Sequence, residues 1–470
     1  MHQLGAKNVL IRTLLLYICI GLLGTACATN GSNAQTKAQP SQTDLVSSWI
    51  KQHAYPLANT EPGGKLSDLS PVNQIIGDAR VIGIGEATHN SHEFSTIKQR
   101  IFEDLVQNKG FTTFALEAGW GAGLLLDDYV LYGKGNLKEI MHNEFGEGGD
   151  QSPWIWNTQE YMNLLEWMRS YNASPAHQQK LRFMGDDASY PGPVVYARVE
   201  GYLQQHFPAL ATKVEQLYQG LHQDSGTNVS SYLLEHMQKI PLAERQRQAE
   251  QAQQAYDLLR QQESSFKADA ERQQYSWILQ GAHIIAESAK LYSFDYTKPN
   301  QNAQGMLYRD SEMAENIAWW NKQTGGKILL SAHNDHIAYK SFIPKFYPKV
   351  QGAFLHDLLG KGYLNIGSSF FEGSFNALDA SGKAAKPQVF TLGGARPDSY
   401  EGVLGKVNIS NYLLDLHAAP PQVSSWFRQA RPVYDIGAAY QAGQDYSTGS
   451  LGDSFDIVLH IQHVTPSHLL

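Results

Sequence analysis

The stretch ARVIGIGEATHNSHEF, residues 79–94, decides the fold. Val81 to Ile84 is a short β-branched run, Gly85 to His89 is a polar turn, and His92-Glu93 opens a helix, with the Glu at the positive end of the helix dipole. Strand, turn and helix in that order form the α/β unit. Five further runs repeat the pattern beside helical stretches: TTFALEAG from Thr112, KLRFMGDD from Lys180, KILLSAHN from Lys327, YLNIGSSF from Tyr363 and FDIVLHIQ from Phe455. The predicted class is therefore α/β, with a mostly parallel central sheet flanked by helices. Between the third and fourth runs the composition changes. Leu, Ala, Gln, Glu and Arg dominate stretches such as LAERQRQAEQAQQAYDLLRQQ, and no strand-like run occurs. Residues 194–323 are expected to be an inserted helical subdomain that walls or lids a cleft. Residues 44–193 and 324–470 would form the catalytic α/β domain. No internal repeat is present.

The 470 residues hold 37 Lys+Arg against 45 Asp+Glu, a net charge of −8, which disfavours a nucleic-acid partner. Apolar residues at 42 % allow one or two sizeable cores. The two cysteines, Cys19 and Cys27, both precede the body, so cysteine-nucleophile and thiolate-metal chemistry are excluded there. Residues 1–27 carry Lys7 and Arg12, an apolar run from Leu14 to Leu23, then Gly24-Thr25-Ala26-Cys27. That is a secretory signal. Cys27 after small residues resembles a lipobox, although Gly24 stands where Leu is usual, and the alternative is simple cleavage near Ala26 or Ala28. Either way the body is expected to be exported, periplasmic or anchored in the outer membrane by lipid, with residues 28–43 as a polar tether.

Ligands of open α/β sheets bind at the carboxyl ends of strands, and these ends are rich in chemistry. The first supplies Glu86 and His89 and continues to His92 and Glu93; the second supplies Glu117 and then Trp120; the third Asp186 and Asp187; the fourth His333 and His336. The duller readings are structural carboxylates, a helix-start Glu93, and one of the two aspartates acting as a cap. His460, His463 and His468 read as ordinary C-terminal histidines. Gly83-x-Gly85 lacks the third glycine of a dinucleotide loop and carries an acid in the turn, and there is neither a G-x-S-x-G elbow nor a Walker loop. Two chemistries remain: general-base activation of water by an imidazole oriented by a carboxylate, and metal-assisted hydrolysis using His89, His92, Glu93, His333 and His336. The order H-N-S-H-E is not the H-E-x-x-H zinc motif.

From about Leu45 onward the chain resembles the erythromycin esterase family, hydrolases that open macrolide lactones without a serine nucleophile. The resemblance rests on G-E-A-T-H (residues 85–89) with Glu93-Phe94, G-F-T-T-F-A-L-E (110–117), Trp156 with Glu160, W-M-R-S-Y-N (167–172), F-M-G-D-D (183–187), R-D-S-E-M-A-E-N (309–316) and A-H-N-D-H (332–336), in the family's order. It implies that His89 is the general base, that Glu86 and Glu117 line the pocket and orient water or the imidazole, and that His333 is a second essential histidine accompanied by His336. Where the family carries an arginine on the first helix, this chain has Lys98, with Arg100 two residues on. Lys keeps the charge but loses the planar fork. Lys98, Arg100, His336, Asp187, Glu93 and Trp120 are thus the expected substrate or oxyanion contacts, Lys98 or His333 stabilises the oxyanion, and no metal or other cofactor is required. Trp120, Trp154, Trp156 and Tyr190 would suit a bulky apolar lactone, although aromatics are more often core. The leading expectation is an exported hydrolase of a carboxylic ester or macrolactone. A haem-binding lipoprotein of the same fold group and an esterase of cell-surface polysaccharide, metal-assisted or not, are the alternatives.

Overall fold

The computed structural model describes residues 41–146, 154–222, 239–382 and 386–470. The signal segment, Cys27 and nearly all of the tether lie outside the described residues. Helix Gln42–His53 starts inside the expected tether. Ser41 caps it: its hydroxyl accepts from the N–H of Asp44, and the Asp44 carboxylate accepts the N–H of Ser41.

Twelve strands follow among the described residues: β1 Tyr55–Pro56, β2 Val81–Ile84, β3 Phe111–Gly119, β4 Arg182–Asp187, β5 Lys327–Ser331, β6 Tyr363–Asp379, β7 Gln388–Leu392, β8 Asn411–Asp415, β9 Arg431–Tyr434, β10 Ala439–Tyr440, β11 Tyr446–Gly449 and β12 Ile457–Val464. The main sheet runs β1-β8-β12-β6-β2-β5-β3-β4, and the pairings from β12 through β4 are all parallel. β8 pairs antiparallel with β12 and closes one side together with β1. The α/β class and mostly parallel sheet expected from the runs are thus present.

Strand periodicity divides the core between the two faces of the sheet. Val81, Ala115, Ile328 and Leu330 join one apolar cluster, and Ile82, Ile84, Phe114, Leu116 and Leu329 join the other. On the second face lies helix His92–Lys109, whose Phe94, Ile97, Ile101 and Leu105 recur at helical spacing and are buried. Gly110 ends that helix at φ 69°, the left-handed cap that lets its N–H reach the carbonyl of Leu105.

Between β4 and β5 come helices Pro193–His206, Pro208–Leu217, Leu242–Arg260, Asp269–Tyr292 and Pro299–Thr324, with no strand among the described residues of that span. Helices Leu242–Arg260 and Asp269–Tyr292 pack through Ala249, Ala252, Ala255 and Leu259 on one side and Tyr275 and Ala282 on the other. The last helix, Pro299–Thr324, packs on β4 and leads directly into β5, so it is the crossover of a parallel unit as well as the end of the helical stretch.

Gly85 has a packing role. A Cβ there would lie 2.2 Å from Oδ1 of Asn334, which accepts the N–H of Ser368 at 2.8 Å while its amide donates to the Ser368 carbonyl at 2.7 Å. The N–H of Asn334 donates in turn to the Glu86 carbonyl at 3.0 Å. This side chain therefore ties β6 to the turn after β2, and the glycine makes room for it. Gly85→Ala is expected to destabilise the protein by about 1–3 kcal/mol through overpacking, read as a lower urea midpoint at unchanged slope.

Candidate active site

β2, β5, β3 and β4 lie side by side in that order, so the carboxyl ends of four neighbouring parallel strands open together. At the first end His89 and Glu86 meet: Nδ1 of His89 is 2.8 Å from Oε1 of Glu86. The Glu86 carboxylate accepts from Lys98 on its other oxygen, so as an acceptor it takes the Nδ1–H of His89 and leaves Nε2 of the ring free of that contact. Trp156 presents its ring face-to-edge with His89 at 5.4 Å and does the same with Tyr161 at 5.4 Å, which fixes the plane of the imidazole.

Lys98 stands behind Glu86. Its Nζ bonds to Oε2 of Glu86 and donates to Oγ of Ser331 at 3.0 Å, and Tyr161 shares that hydroxyl at 3.2 Å. Its side chain is 1 % exposed, so it positions Glu86 and does not line the cleft as an oxyanion contact. Burial pushes its pKa down, opposed by the Glu86 charge.

His333 packs beside His89, ring centres 4.9 Å apart and planes tilted by 43°. Burial and the nearby His89 hold its pKa down to about 4, so it is neutral at pH 7. Its tautomer follows from its partners: Nδ1 accepts the N–H of Asp335 at 3.4 Å, and Nε2 donates to the Ile436 carbonyl at 3.3 Å. The loop carrying Ile436 is itself fastened to the His89 turn, since its N–H donates to the Ala87 carbonyl at 3.0 Å. Asp435 lies 3.7 Å from Nδ1 of His333.

Glu117 connects this pair of histidines to a second group of charges. Its Oε2 accepts the N–H of His333 at 3.0 Å, and its Oε1 meets Nη2 of Arg309 at 3.1 Å and Nε2 of His336 at 3.3 Å. Burial alone would raise its pKa; His336, Arg309 and His89 outweigh burial and hold it well below the carboxylate range. Arg309 is forked onto Asp187 through Nε at 3.1 Å and Nη2 at 2.6 Å. His336 is buried, which opposes its charge, yet Asp310 at 2.7 Å and Glu117 raise its pKa to about 9. This wall thus sets two basic side chains, Arg309 and His336, among three carboxylates, Glu117, Asp187 and Asp310.

Of the expected site residues, His89, Glu86, Glu117, His333, His336 and Asp187 are brought together. Asp187 is the aspartate turned toward the cleft, whereas Asp186 is buried against Nε2 of Gln351 at 2.6 Å, and burial raises its pKa well above normal. Three expected contacts lie elsewhere. Arg100 points to Asp68 and the Lys65 carbonyl, because two residues along a helix is about 200° of rotation from Lys98. Glu93 accepts the N–H and hydroxyl of Thr465, both at 2.7 Å. Trp120 packs edge-on to Trp319 and Trp320 at 5.8 Å. Trp154 and Tyr190 are buried too, and Trp156 meets His89.

Arg309 and Asp310 were absent from the expected site although they open the R-D-S-E-M-A-E-N motif. A signal existed: Met306, Asp310, Met313 and Ile317 recur at intervals of four, three and four and are buried together, so the aspartate sits on an apolar helix face. An acid in that position needs a buried partner, here His336.

Comparison with known proteins bears on this site. The family model described as erythromycin esterase matches residues 106–464. The matched span begins after Gly85–His89, whose place in the cleft rests on the geometry above. An erythromycin esterase type II from Escherichia coli is 25 % identical over 374 residues, 75 % of this chain and 82 % of that protein. A crystal structure of a Bacillus cereus protein is 31 % identical with a TM-score of 0.81 and covers 92 % of this chain and all (100 %) of its own. A structure titled succinoglycan biosynthesis protein is 30 % identical with a TM-score of 0.79 over the same shares, 92 % and 100 %. The chain belongs to the erythromycin esterase family of hydrolases.

Proposed function

We propose that the protein hydrolyses a carboxylic ester or macrolactone with water activated by His89, needing no metal at the reacting centre. The observation that carries this reading is the His89–Glu86 contact of 2.8 Å at a strand-end cleft, with Glu86 itself clamped by buried Lys98. Nε2 of His89 takes a proton from water as the oxygen attacks the carbonyl carbon. The tetrahedral oxyanion is stabilised by the positive charge of Arg309 and His336, a role that a metal would otherwise fill. Collapse breaks the bond to the alcohol oxygen, and His89 returns the proton to it, so a lactone opens with the gain of one water. Neutral His333 shapes the cleft beside His89 and keeps a second cation away from it.

The relative named erythromycin esterase type II supports a macrolactone substrate, and the relative titled succinoglycan biosynthesis protein supports an ester on an exported polysaccharide. The macrolide reading gives the protein a place in antibiotic resistance. Residues 1–27 support export, with Cys27 as a lipid anchor in a bacterial membrane. Incubation of the purified protein with erythromycin is expected to give a product heavier by one water in the presence of EDTA, seen by mass spectrometry. A folded protein that leaves erythromycin intact but cleaves aryl esters moves the substrate to other esters, and one that cleaves neither overturns the reading.

A further inference from the structure

Away from the cleft, His92, Glu160 and His468 converge from three separate segments: the start of helix His92–Lys109, the start of helix Gln159–Ala173 and the C-terminal tail. Their donor atoms all lie within 4.8 Å of one another. Both imidazoles turn Nδ1 toward the same carboxylate oxygen, Oε1 of Glu160, at 2.7 Å from His92 and 2.8 Å from His468. We propose that these three side chains form a structural site for one zinc ion, distinct from the hydrolytic cleft.

Two imidazole nitrogens and a carboxylate oxygen are a donor set zinc takes with its fourth position left to water, and ligands about 2.0–2.1 Å from the metal sit roughly 3.3 Å apart in a tetrahedron, so the N···O distances of 2.7 and 2.8 Å open by about half an ångström to admit the ion. The surroundings supply an outer partner as well. With Nδ1 of His92 on the metal, its Nε2–H points at Oε1 of Glu61, 3.2 Å away, which is the carboxylate–histidine–metal arrangement that fixes tautomer and ring orientation. Glu160 is held by the N–H of His468 at 3.1 Å. Exposure makes the same point. The His468 side chain is 74 % exposed, and a ring so placed would ordinarily stay free in solvent, yet it is drawn onto a carboxylate that is 3 % exposed. His463, near the end of β12 and 60 % exposed, is 3.9 Å from the nearest oxygen of Glu372 and has no such cluster around it among the described residues.

The ion would cross-link the tail to what it lies on. Ser467 donates to the Asn90 carbonyl at 3.3 Å, Leu470 to that of Asn157 at 3.0 Å, and the N–H of Gln159 to the carbonyl of His468 at 2.8 Å. The tail therefore bridges the His89 turn and the segment carrying Trp156, and a metal at its end would pin both.

The test is zinc binding to the purified protein after removal of metal with a chelator, followed by calorimetry, with Co²⁺ as an optical probe. The wild type is expected to take up a single equivalent of zinc, to show the visible absorption of four-coordinate Co²⁺, and to gain a few degrees in thermal midpoint when zinc is about 100-fold above its Kd. His468→Ala and His92→Ala should abolish all three, Glu61→Gln should weaken zinc by roughly tenfold, and His463→Ala should leave binding unchanged. His468 is on the exposed tail, so His468→Ala reports even where His92→Ala fails to fold. Zinc uptake equal in wild type and His468→Ala, or a wild-type midpoint that zinc does not move, overturns the site.

Discussion

His89→Ala is expected to lower ester hydrolysis by about 10³-fold, within the 10²–10⁴ that a positioned general base contributes, and to leave the thermal midpoint nearly unchanged. The two halves of that expectation have separate causes. Loss of the imidazole removes the Nε2 that would take the proton, Nδ1 being committed to Glu86. The fold tolerates the loss because Glu86 keeps its second partner, Lys98, and no buried charge is left bare. Glu86→Gln should behave differently. It strips buried Lys98 of its counter-charge, so both stability and turnover should fall. Measured kcat and denaturation midpoints for the two variants separate the roles, and a His89→Ala protein within tenfold of wild-type turnover would sink the mechanism.

Much of this cleft is legible in the sequence because parallel strands end abruptly in polar residues. Glu86, His89, Glu117, Asp187, His333 and His336 each follow an apolar run within a few positions, and neighbouring strands bring such ends together. What cannot be read is strand order. β5 comes late in the chain yet inserts between β2 and β3, which is what sets His333 beside His89. Nor does the sequence say which way a helical side chain turns. Lys98 and Arg100 are both cations on one helix, but only Lys98 lies over the end of β2, and it points inward to Glu86. Arg309 was hidden for a related reason: it sits in the middle of helix Pro299–Thr324, far from any strand run, and becomes visible only when that helix is seen crossing β4. The aromatics mislead in the opposite direction. Trp120 and Trp154 begin their elements just after strand ends or turns, yet packing claims them.

Arg309→Ala is expected to cost about 3–5 kcal/mol of stability, the range for removing one partner from a buried ion pair. The guanidinium side chain is 14 % exposed and holds Asp187 through Nε and Nη2 and Glu117 through the same Nη2. Without it Asp187 loses its counter-charge and keeps the N–H of Ser189, while Glu117 keeps the N–H of His333 and His336, which Asp310 already shares. Arg309→Lys keeps the charge but not the fork, and should recover part of the loss. The pH dependence has a definite sign. Glu117 is held below its ordinary value of 4.5, so its contribution is present above that pH and fades as pH falls toward the lowered folded value. Arg309 is one cause of the lowering, so the stability gap between wild type and Arg309→Ala should be widest at neutral pH and should narrow below about 4.5 as carboxylates protonate. Urea midpoints from pH 7 down to the acid limit measure the gap directly. A gap that stays constant with pH would mean that Arg309 acts through packing alone, and no gap at all would remove it from the electrostatic frame of the cleft.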